Sequence, residues 1–268
     1  MRSSQNRYPS VKEIDDYDRI RIVREIFATI TGKYDFLNHF LSLRRDVAWR
    51  RFTVEQMKFF NTYRFLDVAT GTSDLAIEAA LQYPYIQVTG LDFVRQMLDQ
   101  GMKKIKSKGL STRIDLIKGD ALHIPLPDKS FDAAGTAFGI RNIPDKIRAL
   151  TELRRVVVPG GQVLVLELTL PQTQYFKGFY HIYLNMILPL LARVFSPNPD
   201  AYHYLGESIM DFPPVRGFAR MMKDAGLIDV EVHTLTLGIC HLFIGHKPNP
   251  DNPGQKRPHA KAQRREGF

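Results

Sequence analysis

Two apolar segments that each run into an aspartate constrain the fold of this chain more than any other feature. The first, residues 65–68, contains Asp67 and is followed by a turn of small residues, and the second, residues 88–92, ends in Asp92. A helix-length stretch separates the two segments, so the pattern predicts a strand–helix–strand unit. In an open α/β sheet, ligands bind outside the carboxyl ends of the strands. We therefore expect a ligand site where these two segments end.

Small side chains in the turn favour a nucleoside ligand that carries positive charge. Residues 69–73 are small, so a ligand can approach the backbone closely at Gly71 and Thr72. Asp92 can accept two hydrogen bonds from a ribose diol, a charge-assisted contact roughly twice as strong as a neutral one. Asp67 can interact with the positively charged amino group of a methionine, either directly or by ordering the backbone that contacts it. These features predict that S-adenosyl-L-methionine binds here, and an enzyme is the leading hypothesis.

A nicotinamide dinucleotide is the rival ligand. Its site needs a Gly-x-Gly-x-x-Gly run that brings backbone amides onto a pyrophosphate, whereas Gly71 is the only glycine of this turn. An acid in the turn region would also repel phosphate. An ordinary strand–turn–helix with Asp74 as the helix N-cap does not conflict with the methyl-donor site.

Two further loops fall at the same predicted edge of the sheet. Asp120 and Ala121 follow the third strand, where the acid can accept from an adenine amino group while the next backbone N–H meets a ring nitrogen. Arg141 and Asn142 follow the fourth strand. Arg141 either forms an ion pair with Asp145, or stabilises an oxyanion or orients a water near a methyl acceptor. Both alternatives stay open on the sequence alone.

The rest of the chain alternates strands and helices. The predicted strands are 64–68, 86–91, 113–117, 131–137, 162–168, 229–236 and 239–246. The predicted helices are 17–30, a short helix or turn at 34–42, 46–60, 74–82, 94–107, 145–155 and 215–225. This order indicates an α/β fold with a mostly parallel seven-stranded sheet, helices on both faces and an antiparallel closing pair. A helical insertion over 171–212 precedes the last two strands, and its Tyr202 and Tyr204 are candidate substrate-binding residues.

Composition indicates one globular domain with a peripheral stretch at each end. The 268 residues are 44% hydrophobic and 24% charged, as in soluble globular proteins. We expect residues 1–16 to be disordered and 17–247 to form a single domain, with a helical cap over 17–60 and an insertion cap over 171–212. The basic, proline-rich residues 248–268 are expected to be a disordered tail.

Charge and cysteine content limit the classes of partner. The net charge of +9 favours an anionic partner, either nucleic acid or an anionic membrane surface. The basic residues are scattered, so we expect no nucleic-acid partner. One cysteine excludes an intramolecular disulfide, and the eight histidines show no metal-ligand spacing, so we expect no metal. Residues 1–16 lack the apolar core of a secretory signal, and polar residues interrupt the apolar stretch 179–195.

Several motifs resemble the ubiquinone/menaquinone biosynthesis C-methyltransferases of the UbiE/MenG type. The similarity runs from about Phe27 to Lys247. The matching motifs are residues 34–38, Leu41-Ser42, Trp49, 155–161 with Glu167, 137–142 and 200–209. The last two runs are the more specific, because generic methyltransferases share the layout of Asp67 and Asp92 but not these runs.

The resemblance implies a class I S-adenosylmethionine-dependent methyltransferase with a Rossmann-like sheet. Carried over residue by residue, the implied donor contacts are Thr72, Asp92, Asp120 and Ala121. The implied positions near the reacting ring, which are our candidate catalytic residues, are Tyr34, Arg141 and Asn142.

The activity implied by the resemblance is methyl transfer to a ring carbon of a polyprenyl quinol. The acceptor is demethylmenaquinol, the equivalent ubiquinone precursor, or both. The alternatives are a methyltransferase that acts on another small phenolic or lipid acceptor or on RNA, and a non-catalytic quinone-binding protein of the same fold. We expect a cytoplasmic protein. Peripheral contact with the inner face of the plasma membrane through residues 175–195, and a homodimer, are left open.

Overall fold

A seven-stranded sheet forms the centre of the computed structural model. The model describes Tyr8, residues 14–31, His39, residues 42–171, residues 200–251 and a few single positions between them, namely Thr173, Phe176, Gly178, Tyr180, Tyr183, Met186 and Asn198. The strands are β1 (Arg64–Val68), β2 (Gln87–Asp92), β3 (Ile114–Lys118), β4 (Phe131–Ala137), β5 (Val157–Leu168), β6 (Ile228–Leu235) and β7 (Cys240–His246). Their order in the sheet is β3-β2-β1-β4-β5-β7-β6.

Strand direction confirms the predicted α/β class. β1 to β5 pair in parallel, and β7 runs antiparallel to both β5 and β6. The order reverses at β1, which lies between β2 and β4, and this is the switch point at which α/β sheets bind ligands. β1 is buried along residues 65–68 because helices cover both of its faces.

Helices pack around the sheet and against one another. They are α1 (Asp16–Ile30), α2 (Arg45–Glu55), α3 (Asp74–Gln82), α4 (Arg95–Ser107), α5 (Lys146–Val156), α6 (Asp200–Asp211) and α7 (Val215–Asp224). One apolar core, with Phe65 and Ile86 at its centre, lies between the sheet and α2 and α3. The other, with Leu66 and Phe218, lies between the sheet and α5 and α7. Alternate residues of β1 therefore face opposite cores, as strand geometry requires.

The cap helix α1 shares an apolar cluster with α6. Ile22, Val23 and Ile26 of α1 are buried with Tyr204 and Ile209 of α6 in a third apolar cluster. Asp15 begins α1 by accepting a hydrogen bond from the Asp18 N–H at 2.7 Å. Most of the predicted helix or turn at 34–42 lies outside the described residues.

The predicted helix over 46–60 is wrong at its end, because α2 stops at Glu55. The buried carboxylate of Asp132 accepts backbone N–H bonds from each of residues 60–63, the shortest being 2.7 Å from Tyr63 N. The side-chain oxygen of Gln162 accepts from Lys58 N at 2.7 Å. These long-range acceptors replace the helical partners, so the chain leaves the helix early.

The predicted strand over 162–168 is also wrong at its start, since β5 begins at Val157. The Pro159-Gly160-Gly161 run forms a bulge inside the strand, where Phe131 pairs with Val157 but Ala133 pairs with Gln162. Gly160 has φ +79°, which glycine adopts without strain.

Among the described residues, none of the helices combines the length and the apolarity needed to span a bilayer.

Candidate active site

A cavity of about 220 Å³ opens at the carboxyl ends of β1, β2 and β4. The turn after β1, the end of β2, the loop 119–122 after β3 and the segment 137–144 after β4 form its floor and walls. Ile20, Val23 and Phe27 of α1 close it on the remaining side. The lining is mostly apolar, with Asp92, Asp120 and Asn142 as its polar side chains.

The turn after β1 brings backbone rather than side chains to the cavity. Ala69, Gly71 and Ser73 have positive φ angles of 54°, 55° and 70°, so the chain folds tightly before α3. A Cβ built on Gly71 would meet no atom within 4 Å. The space beside Gly71 therefore belongs to the cavity, and a ligand can lie directly against this backbone.

Asp92 lies at the end of β2 with its carboxylate buried and facing the cavity. Its Oδ2 accepts from Gly71 N at 2.8 Å, and its Oδ1 accepts from Val94 N at 2.8 Å. Burial raises the pKa of this carboxyl, while these backbone N–H groups oppose the rise. These backbone bonds hold the carboxylate in place, and its two oxygens have about four lone-pair sites in total, so it can still accept from a diol.

Asp67 is buried and does not line the cavity. Its Oδ2 accepts from Thr70 Oγ1 at 2.6 Å and from Ala76 N at 3.2 Å. Burial raises the pKa of Asp67 to about 7, although those two hydrogen bonds lower it. Asp67 is therefore placed to order the turn and the start of α3. Of the two roles that the sequence allowed for Asp67, this geometry corresponds to the indirect one, in which Asp67 acts by ordering the backbone.

Thr72 is buried and does not line the cavity; it contacts a set of buried and partly buried charges. Lys104 Nζ of α4 donates to Thr72 Oγ1 at 3.2 Å and forms an ion pair with Asp74. Arg50 of α2 lies 3.8 Å from Asp74 and 2.6 Å from Asp46. These ion pairs connect α2, α3 and α4 beneath the turn. We call Arg50, Asp46, Asp74, Lys104 and Thr72 the charge network.

The expected N-cap role of Asp74 is wrong, because Asp74 is the first residue of α3 and Ser73 occupies the cap position. Ser73 makes no side-chain cap bond. The carboxylate of Asp74 is instead drawn to Lys104 and Arg50, two cations from other helices.

The structure brings Asp120 and Ala121 to the cavity. Asp120 Oδ1 accepts from Leu122 N at 2.9 Å, and Oδ2 lies 3.6 Å from His123 Nδ1. The Asp120 side chain is 58% exposed, in contrast to buried Asp92. The loop therefore supplies an acceptor at the open rim of the cavity.

Arg141 is buried in the segment after β4 but does not line the cavity. Its Nη1 donates to Glu167 Oε1 at 2.6 Å and to Phe138 O at 2.6 Å. Its backbone N–H donates to Glu167 Oε2 at 3.1 Å. The Arg141–Asp145 ion pair considered from the sequence is wrong, since Asp145 caps α5 by accepting from Arg148 N at 2.8 Å.

Asn142 does line the cavity, at the end of a short 3-10 turn, Ile140–Asn142. Its N–H donates to Gly139 O at 3.1 Å. Its side-chain Oδ1 is buried and accepts no hydrogen bond within the described part of the chain. A buried acceptor without a partner costs roughly 1–3 kcal/mol, so a donor group on a ligand would be favoured here.

Of the three tyrosine candidates, the structure describes the side chain of Tyr204 alone. Tyr34 lies outside the described residues, and Tyr202 belongs to α6 but its side chain is not described. Tyr204 is buried between α6 and α1 and is not a lining residue. Arg19 and Arg141 lie near its hydroxyl and oppose the rise in pKa that burial causes.

Sequence reasoning missed several residues that shape the site. Val23 and Phe27 lie within the predicted helix 17–30, but nothing in the sequence indicated the cavity that they cover. Glu167 appeared only within a motif, because its partner Arg141 is 26 positions away. Arg19 donates to Arg141 O at 2.9 Å, and no motif in the sequence around Arg19 indicates this contact.

The lining fits a nucleoside that carries a charged sulfur. Asp92 offers carboxylate lone pairs at the end of β2, and the void beside Gly71 admits a ligand against the backbone. Asn142 adds another polar side chain to the lining. Leu91, Met97 and the side chains of α1 make the rest of the lining apolar, as is usual for small-molecule sites.

Comparison with known proteins identifies the family of this chain. The model of the ubiE/COQ5 methyltransferase family matches residues 12–247. A demethylmenaquinone methyltransferase of Deinococcus radiodurans is 41% identical over 233 residues, which cover 87% of this chain and 95% of that protein. The ubiquinone/menaquinone biosynthesis C-methyltransferase UbiE of Geotalea daltonii is 40% identical over 226 residues, covering 84% and 96%.

Solved structures show the same fold at low sequence identity. A SAM-dependent methyltransferase of Thermotoga maritima superposes with a TM-score of 0.57 at 18% identity, covering 83% of this chain and 98% of that one. Phosphoethanolamine N-methyltransferase 2 of Haemonchus contortus, in complex with S-adenosyl-L-methionine, gives 0.53 at 18% identity, covering 72% and 50%. The fold is thus that of class I methyltransferases. With the family match over most of its length, this chain belongs to the ubiE/COQ5 methyltransferase family, whose methyl donor is S-adenosyl-L-methionine.

Proposed function

We propose that this protein transfers a methyl group from S-adenosyl-L-methionine to a ring carbon of a polyprenyl quinol in respiratory quinone biosynthesis. The acceptor is demethylmenaquinol, the equivalent benzoquinol precursor of ubiquinone, or both. The observation that carries the proposal is the cavity in which Asp92 and Asn142 face a space closed by α1. The names of the relatives, which describe menaquinone and ubiquinone methylation, support the same acceptor class.

The donor half of the cavity is assigned to β1, β2 and the loop after β3. The Asp92 carboxylate accepts hydrogen bonds from the ribose hydroxyls, and the Gly71 backbone lies against the ligand. Asp120 and Ala121 meet the adenine edge at the rim. When bound, S-adenosyl-L-methionine supplies a methyl group on a positively charged sulfur, so the protein needs no nucleophile of its own.

The acceptor half is assigned to the segment 138–144 and α1. The Oδ1 of Asn142 accepts from a ring hydroxyl and fixes the orientation of the ring. When the ring hydroxyl next to the reacting carbon, which is not the one held by Asn142, loses its proton to solvent, electron density rises on that carbon. The carbon forms a bond to the methyl group as the methyl–sulfur bond breaks, and the bonding pair stays on sulfur, which leaves as a neutral thioether. The ring carbon then loses its own hydrogen as a proton to solvent, and the ring oxygen regains a proton. Ile20, Val23 and Phe27 exclude water from the reacting atoms.

Arg141 acts mainly by position in this proposal. Its guanidinium is paired with Glu167, so the charge it presents to the cavity is largely neutralised. Its bonds to Phe138 O and Glu167 fix the short turn that carries Asn142. Correct alignment of the reacting groups lowers the barrier of such reactions by roughly 7–11 kcal/mol. Acid–base assistance typically gives a rate gain of roughly 10²–10⁴-fold, which is only roughly 3–5 kcal/mol.

The polyprenyl tail of the acceptor partitions into the bilayer, so we also propose that the protein makes peripheral contact with the membrane. Tyr17 of α1 is 78% exposed, and Met186 in the insertion is 68% exposed. The net charge of +9 favours an anionic lipid surface. Co-sedimentation with anionic but not neutral vesicles, weakened by Tyr17→Ser, would support this contact. No sedimentation with either vesicle would refute it.

The quinones of cells that lack this protein test the acceptor directly. We expect extracted quinones one methyl group short, with an unchanged prenyl tail, and recovery of the methylated species when the wild-type chain is restored. The Asp92→Ala chain should fail to restore it. A normal quinone pool in the deleted cells would contradict the proposal, and a phenolic or lipid species accumulating instead would name a different acceptor.

A further inference from the structure

We infer that Arg19 is a positioning residue for methyl transfer: it ties the cap helix α1 to the peptide that carries Asn142. The inference rests on the proposed function for its kinetic consequence, while the tie itself is a matter of geometry. Its guanidinium bridges the cap and the segment after β4, which are 122 positions apart in the chain.

Arg19 differs from its basic neighbours on α1. The Arg19 side chain is 11% exposed, whereas that of Arg21 is 67% exposed and pairs only locally with Asp18 at 2.9 Å. An exposed pair of the Arg21 type contributes little to stability. A guanidinium buried beside the active-site cavity is held by specific acceptors, because an unpaired buried charge would be costly.

One hydrogen-bond acceptor and one ion-pair partner, from different elements, hold Arg19. Its Nη2 donates to the carbonyl oxygen of Arg141 at 2.9 Å. Its Nη1 lies 3.6 Å from Asp211 Oδ2, at the end of α6. The fork of a guanidinium can serve two acceptors in fixed directions. One side chain therefore joins α1, α6 and the segment after β4.

The bond to Arg141 O fixes the peptide plane that leads into Asn142. At one end of this plane the Asn142 N–H donates to Gly139 O at 3.1 Å. At the other end the carbonyl accepts from Arg19. Because a peptide unit is planar, holding both ends fixes the Cα of Asn142, and with it the starting point of the side chain that lines the cavity.

The same arginine connects cap closure with the placement of Asn142. Ile20, Val23 and Phe27, on the turns that follow Arg19, form the α1 wall of the cavity. When α1 is seated, Arg19 reaches Arg141 O; when α1 lifts, that bond is lost together with the wall. The structure therefore couples exclusion of water to the position of the proposed acceptor contact.

The test compares Arg19→Met with Arg19→Lys and with the matched control Arg21→Met on the same helix. Hydrogen exchange of the 141–143 amides reports the tie without any substrate. We expect faster exchange there in Arg19→Met, because local opening becomes easier, and wild-type exchange in Arg21→Met. Unchanged exchange in Arg19→Met would overturn the inference whatever the protein methylates.

Methyl transfer to a reduced demethylmenaquinol analogue and calorimetric donor binding give the second readout. We expect Arg19→Met to lower kcat by roughly 10- to 100-fold, the cost of a small misplacement, with nearly unchanged donor affinity. Arg19→Lys should recover part of the loss, since an ammonium can serve one of the two acceptors. Equal losses of kcat and donor affinity, with no recovery by lysine, would reduce Arg19 to a structural role and overturn the inference.

These two readouts separate the inference from the proposed function. A wild-type protein that binds the donor but never methylates the quinol analogue would refute the proposed function. The exchange of the 141–143 amides would still decide whether Arg19 holds the Asn142 peptide.

Discussion

At the residue scale, two aspartates on neighbouring strands have different surroundings and are therefore assigned different tasks. Asp92 faces the cavity and is held by two backbone N–H groups. Asp67 lies beneath the turn and is held by Thr70 and Ala76. The sequence placed both at strand ends correctly. It could not tell which one a ligand would touch, because that depends on where the turn after β1 directs each carboxylate.

Replacing Asp92 tests the ribose contact. Asp92→Ala removes an acceptor of charge-assisted hydrogen bonds, each worth about 1.5–3 kcal/mol, so we expect donor affinity to fall roughly 10- to 100-fold or more. Calorimetry with S-adenosyl-L-methionine measures the change. Asp99→Ala is the control, since that side chain is 52% exposed and pairs with Arg95 on the surface. Unchanged affinity in Asp92→Ala would refute the assignment.

Asp67 gives a prediction for stability against pH. Its pKa is about 7 in the folded protein and near 3.8 ordinarily, so the folded protein binds the extra proton between these values. The contribution of Asp67 to the free energy of unfolding is therefore largest at low pH and is lost as the pH rises towards 7.

Urea denaturation at a series of pH values measures this loss against the Asp67→Asn variant, which cannot ionise. Relative to that variant, we expect the wild-type free energy of unfolding to fall by up to about 1.4 kcal/mol per pH unit across the interval. Parallel curves for the two proteins would mean that Asp67 is ionised throughout.

At the element scale, the site depends on how helices meet beneath the donor turn. The charge network joins α2 to α3 through Arg50 and Asp74, and α3 to α4 through Lys104. Helix and strand positions could be predicted from local patterns, because periodicity is written in neighbouring residues. The end of α2 could not, since Asp132 and Gln162 accept from Tyr63 and Lys58 across 69 and 104 positions of the chain. The start of β5 could not either, since the bulge at its beginning is defined by pairing with β4.

Lys104→Met tests whether the charge network holds the donor turn. The substitution removes the contacts to Thr72 and Asp74 while keeping most of the side-chain length. We expect donor affinity to weaken by about three- to tenfold, corresponding to about 1 kcal/mol for a lost hydrogen bond. Lys103→Met, at an exposed position of the same helix, is the control. Equal affinities for the two variants would show that the turn holds its shape without the network.

At the scale of the whole molecule, the sheet supplies the donor site and the cap completes it. The order reversal at β1 puts Gly71, Asp92 and Asn142 around one space. The α1 helix, packed on α6, closes that space from outside the sheet. The sheet could be predicted because strand–helix alternation allows few topologies. The position of α1 over the cavity could not, because it depends on Arg19, Tyr204 and other contacts between distant segments.

The most direct test of this account follows one labelled methyl group. The purified protein is given S-adenosyl-L-methionine with a ¹³C-labelled methyl group and a chemically reduced demethylmenaquinol, and the product is identified by NMR. We predict that the label appears on the ring carbon, with the wild-type protein and not with Asp92→Ala. Label on a ring oxygen, or no transferred label from a protein that binds the donor, would contradict carbon methylation of a quinol in this cavity.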